Sequence, residues 1–296
     1  MANDSYHTRE YYKQHRAMIV NGSPRALILI CVDVSISMNE WWIEDSAAEK
    51  TTGRKFSDGH YVHTFSRETL YDGSARYQKI KKLNDVLKTL LNDFKHDVNL
   101  RDKVAVSIVS YSKYAKVVND FLDCREIDID ACECKVDDKE TMMGEGLRMA
   151  LYQLDEMEND MKEAGNDAYT PILIFLTDGV PSDDPRREFE EIRTRVEKRD
   201  LHIFPLGIGE GADMMRLREM YPVGMVPQGF SEKYRMVEPE SYDKIFMQIK
   251  SYVKKKNDIL VSEGNSAQSA PAIETVGVMN NQMGTVLDDE DYRYLL

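Results

Sequence analysis

The chain has 296 residues, 42% apolar and 31% charged, with a formal net charge of −13. That length is enough for one large domain or two small ones with a full core. The acidic balance argues against nucleic acid or an anionic membrane as the main partner, since both need a basic surface.

No apolar run approaches the roughly 20 residues of a membrane span. The first residues, MANDSYHTREYYKQHR, are polar and lack an apolar signal region, so a cytoplasmic location is expected. Four cysteines in a chain of this size do not make a secreted disulfide framework.

In chain order, residues 1–24 read as a short N-terminal extension. ALILICV (26–32) is a continuous apolar run of strand length, suited to burial on both faces. It ends in Asp33, Ser35 and Ser37 at alternate positions, followed by Trp41 and Trp42. Almost forty residues, about 39–76, then separate this strand from the next helix, where two to six would be usual. The aromatic residues of this insertion read either as a small satellite core or as an interface, and Trp41 and Trp42 are its candidate partner-binding residues.

A helix with Ile80, Leu83, Leu87, Leu90 and Phe94 on one face comes next. KVAVSIVSY (103–111) and KVVNDFL (116–122) read as a strand hairpin. A second amphipathic helix carries Leu147, Ala150, Leu154, Met157 and Met161. PILIFLTDG (171–179) is another apolar strand ending in a polar turn. Asp184 and Pro185 read as an N-cap and first residue of a helix to about Lys198. LHIFPLGIG (201–209) is the next strand and ADMMRLREM a short helix. VGMVPQ (223–228) is expected as a last short strand, and SYDKIFMQIKSYVKKK as a closing helix.

Strands alternating with helices predict an α/β fold, a doubly wound, mostly parallel sheet with helices on both faces and one antiparallel edge strand. The domain is expected to span 25–256. Residues 257–296 hold seven acids against one base, Arg293, and read as a disordered acidic tail.

Ligands of such sheets bind beyond the carboxyl ends of the strands. Three segments there carry oxygen donors: Asp33-Val34-Ser35-Ile36-Ser37, Thr141 before the second helix, and Thr177-Asp178-Gly179. The set has no thiolate or imidazole, which suits Mg²⁺, Mn²⁺ or Ca²⁺ rather than zinc.

Other chemistries fit less well. A phosphatase of the haloacid-dehalogenase type needs a second carboxylate where this chain has Ser35. Gly207, Gly209, Gly211 and Ala212 match a dinucleotide-binding spacing, but late in the chain, where a tight strand-to-helix turn is the simpler reading. Cys124, Cys132 and Cys134 lack a matching fourth zinc ligand, and His60 and His63 read as surface residues.

DVSIS, the Thr141 loop and LTDG resemble the metal-ion-dependent adhesion site of von Willebrand factor A (vWA) domains, in the order that family uses. The resemblance implies a six-stranded sheet ordered 3-2-1-4-5-6. It also implies an ion, Mg²⁺ by preference, held directly or through water by Asp33, Ser35, Ser37, Thr141 and Asp178. The resemblance further implies a vacant coordination position that draws in an Asp or Glu carboxylate from a protein partner. The family pattern usually has Gly between the serines, where this chain has Ile36.

Within the family, NGSPRALILICVD, FLTDGVPSDD and PLGIGEGADMMRL are most similar to bacterial tellurium-resistance TerY-like proteins. Those are linked with a Ser/Thr kinase and a PP2C-type phosphatase in stress or defence systems. This implies a non-enzymatic adaptor. A structural vWA subunit of a larger complex and a metal-dependent hydrolase are the alternatives. In the tail, Thr285 in GTVLDDEDY and Thr275 in ETVGVMN are candidate phosphoacceptors, the first resembling segments of bacterial proteins with forkhead-associated domains.

Overall fold

A computed structural model describes residues 9–22, 25–43, 67–69, 75–98, 100–166, 170–208 and 211–226. Eight strands and five helices occur among them. The strands are β1 (Ala26–Asp33), β2 (Trp41–Ile43), β3 (Arg67–Thr69), β4 (Ala75–Gln78), β5 (Val104–Tyr111), β6 (Ala115–Asp123), β7 (Ile172–Thr177) and β8 (His202–Gly207). The helices are α1 (Arg9–Val20), α2 (Lys79–His96), α3 (Met143–Glu163), α4 (Arg186–Glu197) and α5 (Met214–Arg218).

Five strands form the main sheet in the order β6-β5-β1-β7-β8. β5, β1, β7 and β8 run parallel, and β6 closes one edge antiparallel to β5. This is the expected α/β sheet with its first five strands in the expected order. β1 lies at the centre, and all eight of its residues are buried, because its run has no polar side to turn outward. Its alternate side chains feed two cores. Ile28, Ile30 and Val32 pack towards α2, with Leu83, Leu87 and Phe94. Leu27, Leu29 and Cys31 pack towards α3, with Leu147, Leu154 and Met157.

The edge strand β6 is pinned through side chains. Asn119 donates to the Val106 carbonyl at 3.1 Å, and Ser107 donates to the Asn119 carbonyl at 2.9 Å, where the β5–β6 register shifts. At its far end Asp123 is clamped by Arg25 at 2.8 Å and Arg125 at 2.6 Å. Burial opposes the Asp123 charge, but the two guanidiniums outweigh it and hold the carboxyl below its ordinary range.

Three expectations need correction. The N-terminal segment holds α1, whose last turn buries Ile19 and Val20 in the α3-side core and whose Arg16 reaches Asp160 at 2.7 Å. Residues 223–226 form a turn, not a strand: Met225 donates back to the Pro222 carbonyl at 3.0 Å, and Gly224 has a φ of +84°. Pro185 is the N-cap of α4 rather than its first residue, and Asp184 accepts from the Arg186 amide at 3.3 Å.

The described residues of the insertion form a second, three-stranded sheet, β2-β4-β3, with antiparallel pairing throughout. Trp41 pairs with Gln78 and Trp42 with Tyr77 through the backbone. Their side chains, His60, His63, the closing helix, the tail and Thr275 and Thr285 lie outside the described residues.

Candidate metal centre

β1 and β7 are neighbours, and the chain leaves them towards opposite edges of the sheet. Their carboxyl ends therefore make the topological switch point where α/β sheets bind ligands. Asp33 closes β1 and Asp178 comes directly after Thr177, the last residue of β7. The segment leaving β1 brings their side chains together. Ser35 starts a tight 3₁₀ turn, Ile36–Asn39, that curls the chain back over the strand end.

The side chains form one continuous hydrogen-bonded cluster. Asp33 accepts from the Ser35 amide through Oδ1 at 2.8 Å and from Thr177 Oγ1 through Oδ2 at 2.7 Å. The Ser35 and Ser37 hydroxyls are 3.0 Å apart, and Ser37 Oγ donates to Asp178 Oδ1 at 2.7 Å. Four of the five expected ligand residues are thus linked directly. Ile36, where the family pattern has glycine, is accommodated without strain because its side chain points to solvent and is 61% exposed. The turn needs no left-handed residue there.

Thr141 reaches the cluster through the β7–α4 loop. Its amide donates to Ser182 Oγ at 3.0 Å, and the Ser182 amide donates back to the Thr141 carbonyl at 2.8 Å. A Cβ on Gly179 would lie 3.4 Å from Thr141 Oγ1, so this hydroxyl sits against the Asp178–Gly179 turn. The loop before Thr141 is tied to β1 by the Asp137 amide, which donates to the Val34 carbonyl at 3.0 Å.

Several residues take roles at the site that the sequence did not assign to them. Thr177 orients Asp33. Asp183 caps α3 from another loop, accepting the amides of Gly144 at 2.9 Å and Glu145 at 3.3 Å. Asp183→Ala is expected to cost about 1 kcal/mol of stability, and to loosen Thr141 by freeing the start of α3; chemical denaturation and amide hydrogen exchange at 141–146 would check both. Gly211 lets the β8–α5 loop touch Asp178, because a Cβ there would be 2.6 Å from the Asp178 carbonyl oxygen.

The largest omission is Lys79, the first residue of α2. Its ammonium lies 2.8 Å from Asp178 Oδ2 and 3.1 Å from Glu40 Oε2. The first turn of α2, KIKK, has no acid, although cations are unfavourable at the positive end of a helix. That contradiction was the signal in the sequence, and the buried Asp178 carboxylate resolves it.

Electrostatically the site is acidic, and its two aspartates are buried. Burial chiefly, with the nearby Asp178 charge, raises the Asp33 pKa to about 6 against the lowering effect of the Ser35 and Thr177 hydrogen bonds. Burial also acts on Lys79, to lower its pKa, but bonds to Asp178 and Glu40 win, and it is raised above the ordinary lysine value.

The family model for the von Willebrand factor type A domain matches residues 69–247. The chain belongs to this family. The matched span includes Thr141 and Asp178 and begins inside the insertion, so Asp33, Ser35 and Ser37 lie before it. The sheet supplies the connection, since β1 is the central strand of the same vWA fold.

No curated protein matches the sequence. Solved structures of similar fold include proximal thread matrix protein 1 from the mussel byssus, with a zinc-occupied MIDAS motif: 16% identity over 76% of this chain and 47% of that one, TM-score 0.42. The PilB minor pilin of Streptococcus sanguinis is 14% identical over 79% of this chain and 62% of its own, TM-score 0.47. A von Willebrand factor type A protein of Catenulispora acidiphila is 15% identical over 78% and 43%, TM-score 0.46. The chain thus spans less than half the length of the mussel protein.

The donor chemistry of the vWA site fits a hard divalent cation. It offers carboxylate and hydroxyl oxygens, two of its carboxylates are buried, and among the described residues one lysine, Lys79, pairs with them, on Asp178. The cysteines take no part. Cys124, Cys132 and Cys134 are buried in the α2-side core. Burial, the leading cause for each, pushes Cys132 and Cys134 up to about 12 and Cys124 higher still, so they stay protonated.

Proposed function

We propose that the protein is a non-enzymatic, divalent-cation-dependent protein-binding module. The observation that carries this reading is the joining of Asp33, Ser35, Ser37 and Asp178 in one hydrogen-bonded oxygen cluster at the switch point of a vWA sheet. Asp33, Ser35, Ser37, Thr141 and Asp178 are the residues that would hold the ion, Mg²⁺ by preference with Mn²⁺ or Ca²⁺ as substitutes. When bound, the ion supplies a Lewis-acid position for a carboxylate of a partner protein.

The protein's own residues prepare that position. Thr177 and the Ser35 amide fix Asp33, Ser182 and Asp183 fix the Thr141 loop, and Gly211 sets the height of Asp178. Ile36 and Val180, each 61% exposed, add apolar surface beside strand ends that are otherwise polar. Trp41 and Trp42 begin the insertion at the same edge and are assigned to partner choice.

The pathway reading is an adaptor in a bacterial Ser/Thr phosphorylation-linked stress, tellurium-resistance or defence system. It rests on the TerY-like stretches and on a cytoplasmic location. No helix among the described residues is long and apolar enough to cross a membrane. A Ser/Thr kinase, a PP2C-type phosphatase or a forkhead-associated-domain protein would be the partner class, with Thr285 and Thr275 as phosphoacceptors. Phosphopeptide mapping after co-expression with such a kinase should find phosphate on Thr285; an unmodified tail removes that part.

Partner capture by the immobilised full-length chain should require Mg²⁺, fail in EDTA, and fail in Asp33→Ala under either condition. Capture that survives both chelation and the substitution defeats the metal-dependent mechanism.

A further inference from the structure

The excursion from β1 leaves the main body after Glu40 and returns at Lys79. Its two ends are closed together. The Lys79 amide donates to the Glu40 carbonyl at 3.2 Å, and β2 pairs with β4 immediately beyond. The side chains of the same two residues meet again, Lys79 Nζ lying 3.1 Å from Glu40 Oε2. The ammonium is therefore shared between the neck of the insertion and Asp178, 2.8 Å away on its other side.

The three groups differ in their access to water. The Lys79 side chain is 8% exposed and that of Asp178 is fully buried, whereas Glu40 is 66% exposed. Both Asp178 oxygens already have donors, Ser37 on Oδ1 and Lys79 on Oδ2. A divalent cation that takes Asp178 must share this carboxylate with an ammonium held in a low-dielectric pocket, where like charges repel strongly. Glu40 is the other acceptor already within reach of that ammonium.

We propose that Lys79 is a built-in cation that competes with the divalent ion for Asp178, and that Glu40 relieves the competition by holding the ammonium when the ion enters. The inference rests on the metal-site reading. It adds that the site is set to bind its ion weakly. It also makes the neck of the insertion responsive to loading, because Lys79 and Glu40 are the two ends of that neck.

Calorimetric titration of the full chain with Mn²⁺ tests this without any partner. Lys79→Met should bind Mn²⁺ roughly tenfold more tightly than the wild type, the scale on which groups next to metal ligands act. Lys81→Met removes an exposed lysine from the same helical turn and should leave the affinity at the wild-type value, which controls for net charge. Glu40→Gln should bind more weakly than wild type, since Lys79 is then left to Asp178 alone, and should have no further effect in the Lys79→Met background.

Equal or weaker binding by Lys79→Met, or a gain matched by Lys81→Met, overturns the competition. If Lys79→Met fails to fold by circular dichroism, Glu40→Gln decides: weaker binding supports the proposal and unchanged or tighter binding overturns it. Absence of Mn²⁺ binding from wild type and Lys79→Met alike would instead defeat the metal-site reading, and this inference with it.

Discussion

Asp178→Ala is expected to lose two properties at once. The first is Mn²⁺ or Mg²⁺ binding, which should fall by roughly a hundredfold or more, since one of only two buried carboxylates at the site disappears. The second is stability. The Asp178 side chain is fully buried and accepts from Ser37 at 2.7 Å and Lys79 at 2.8 Å. Without it, the buried ammonium keeps only Glu40, whose own side chain is mostly in water. Breaking a buried pair on one side costs about 3–5 kcal/mol, far more than deleting both partners. The Asp178→Ala, Lys79→Met double variant should therefore be more stable than Asp178→Ala alone, while still failing to bind the ion. Urea unfolding and Mn²⁺ titration on the same samples would check the pair. A single variant with wild-type midpoint and affinity would show that Asp178 is neither a ligand nor Lys79's main partner.

The second large effect is expected from Gly211→Ala. A methyl group there would lie 2.6 Å from the Asp178 carbonyl oxygen, closer than a Cβ approaches a backbone oxygen without displacement. The obstacle is backbone rather than the end of a flexible side chain, so either the β8–α5 loop or the Asp178 turn must move. Overpacking of this kind costs about 1–3 kcal/mol. A turn that moves takes Asp178 off the Asp33–Ser37 cluster, and roughly tenfold weaker Mn²⁺ binding should result, the usual scale for disturbing the support of a metal ligand. The same substitution separates the two meanings of the glycine-rich sequence. A phosphate cradle would lose affinity for a dinucleotide and keep its unliganded stability; a packing glycine loses stability with nothing bound. Thermal unfolding of the free protein reads the difference.

Much of the fold was legible because its central strands have no polar face. ALILICV and PILIFLT are buried from end to end, so length and flanking turns identified them without any periodicity. The clustering of the oxygen donors was legible for a related reason. Polar residues placed directly after such strands have little to do in the core, and three segments of them in one order pointed to one place. What escaped depended on contacts distant in sequence. Lys79 meets Asp178 across 99 residues, and Asp183 caps α3 across 39. Helix α1 escaped for a local reason: REYYKQHRAMIV places its large aliphatic residues Met18, Ile19 and Val20 together at one end, after a first half dominated by charged and polar residues. VGMVPQ carried the apolar residues of a strand, but Pro222 and the left-handed Gly224 spend them on a turn.

The closed neck at Glu40 and Lys79 has a consequence for how this chain could diversify. The backbone bond between Lys79 and Glu40, their ion pair and the β2–β4 pairs beyond hold the two ends of the excursion together. Doubling the length of such an excursion adds only about 0.6 kcal/mol of closure entropy. The length of chain between β2 and β3 could therefore change at little entropic cost while the neck stays closed. On the proposed reading of the insertion as the partner-binding element, the neck is a natural graft point at which recognition could be replaced without rebuilding the oxygen cluster.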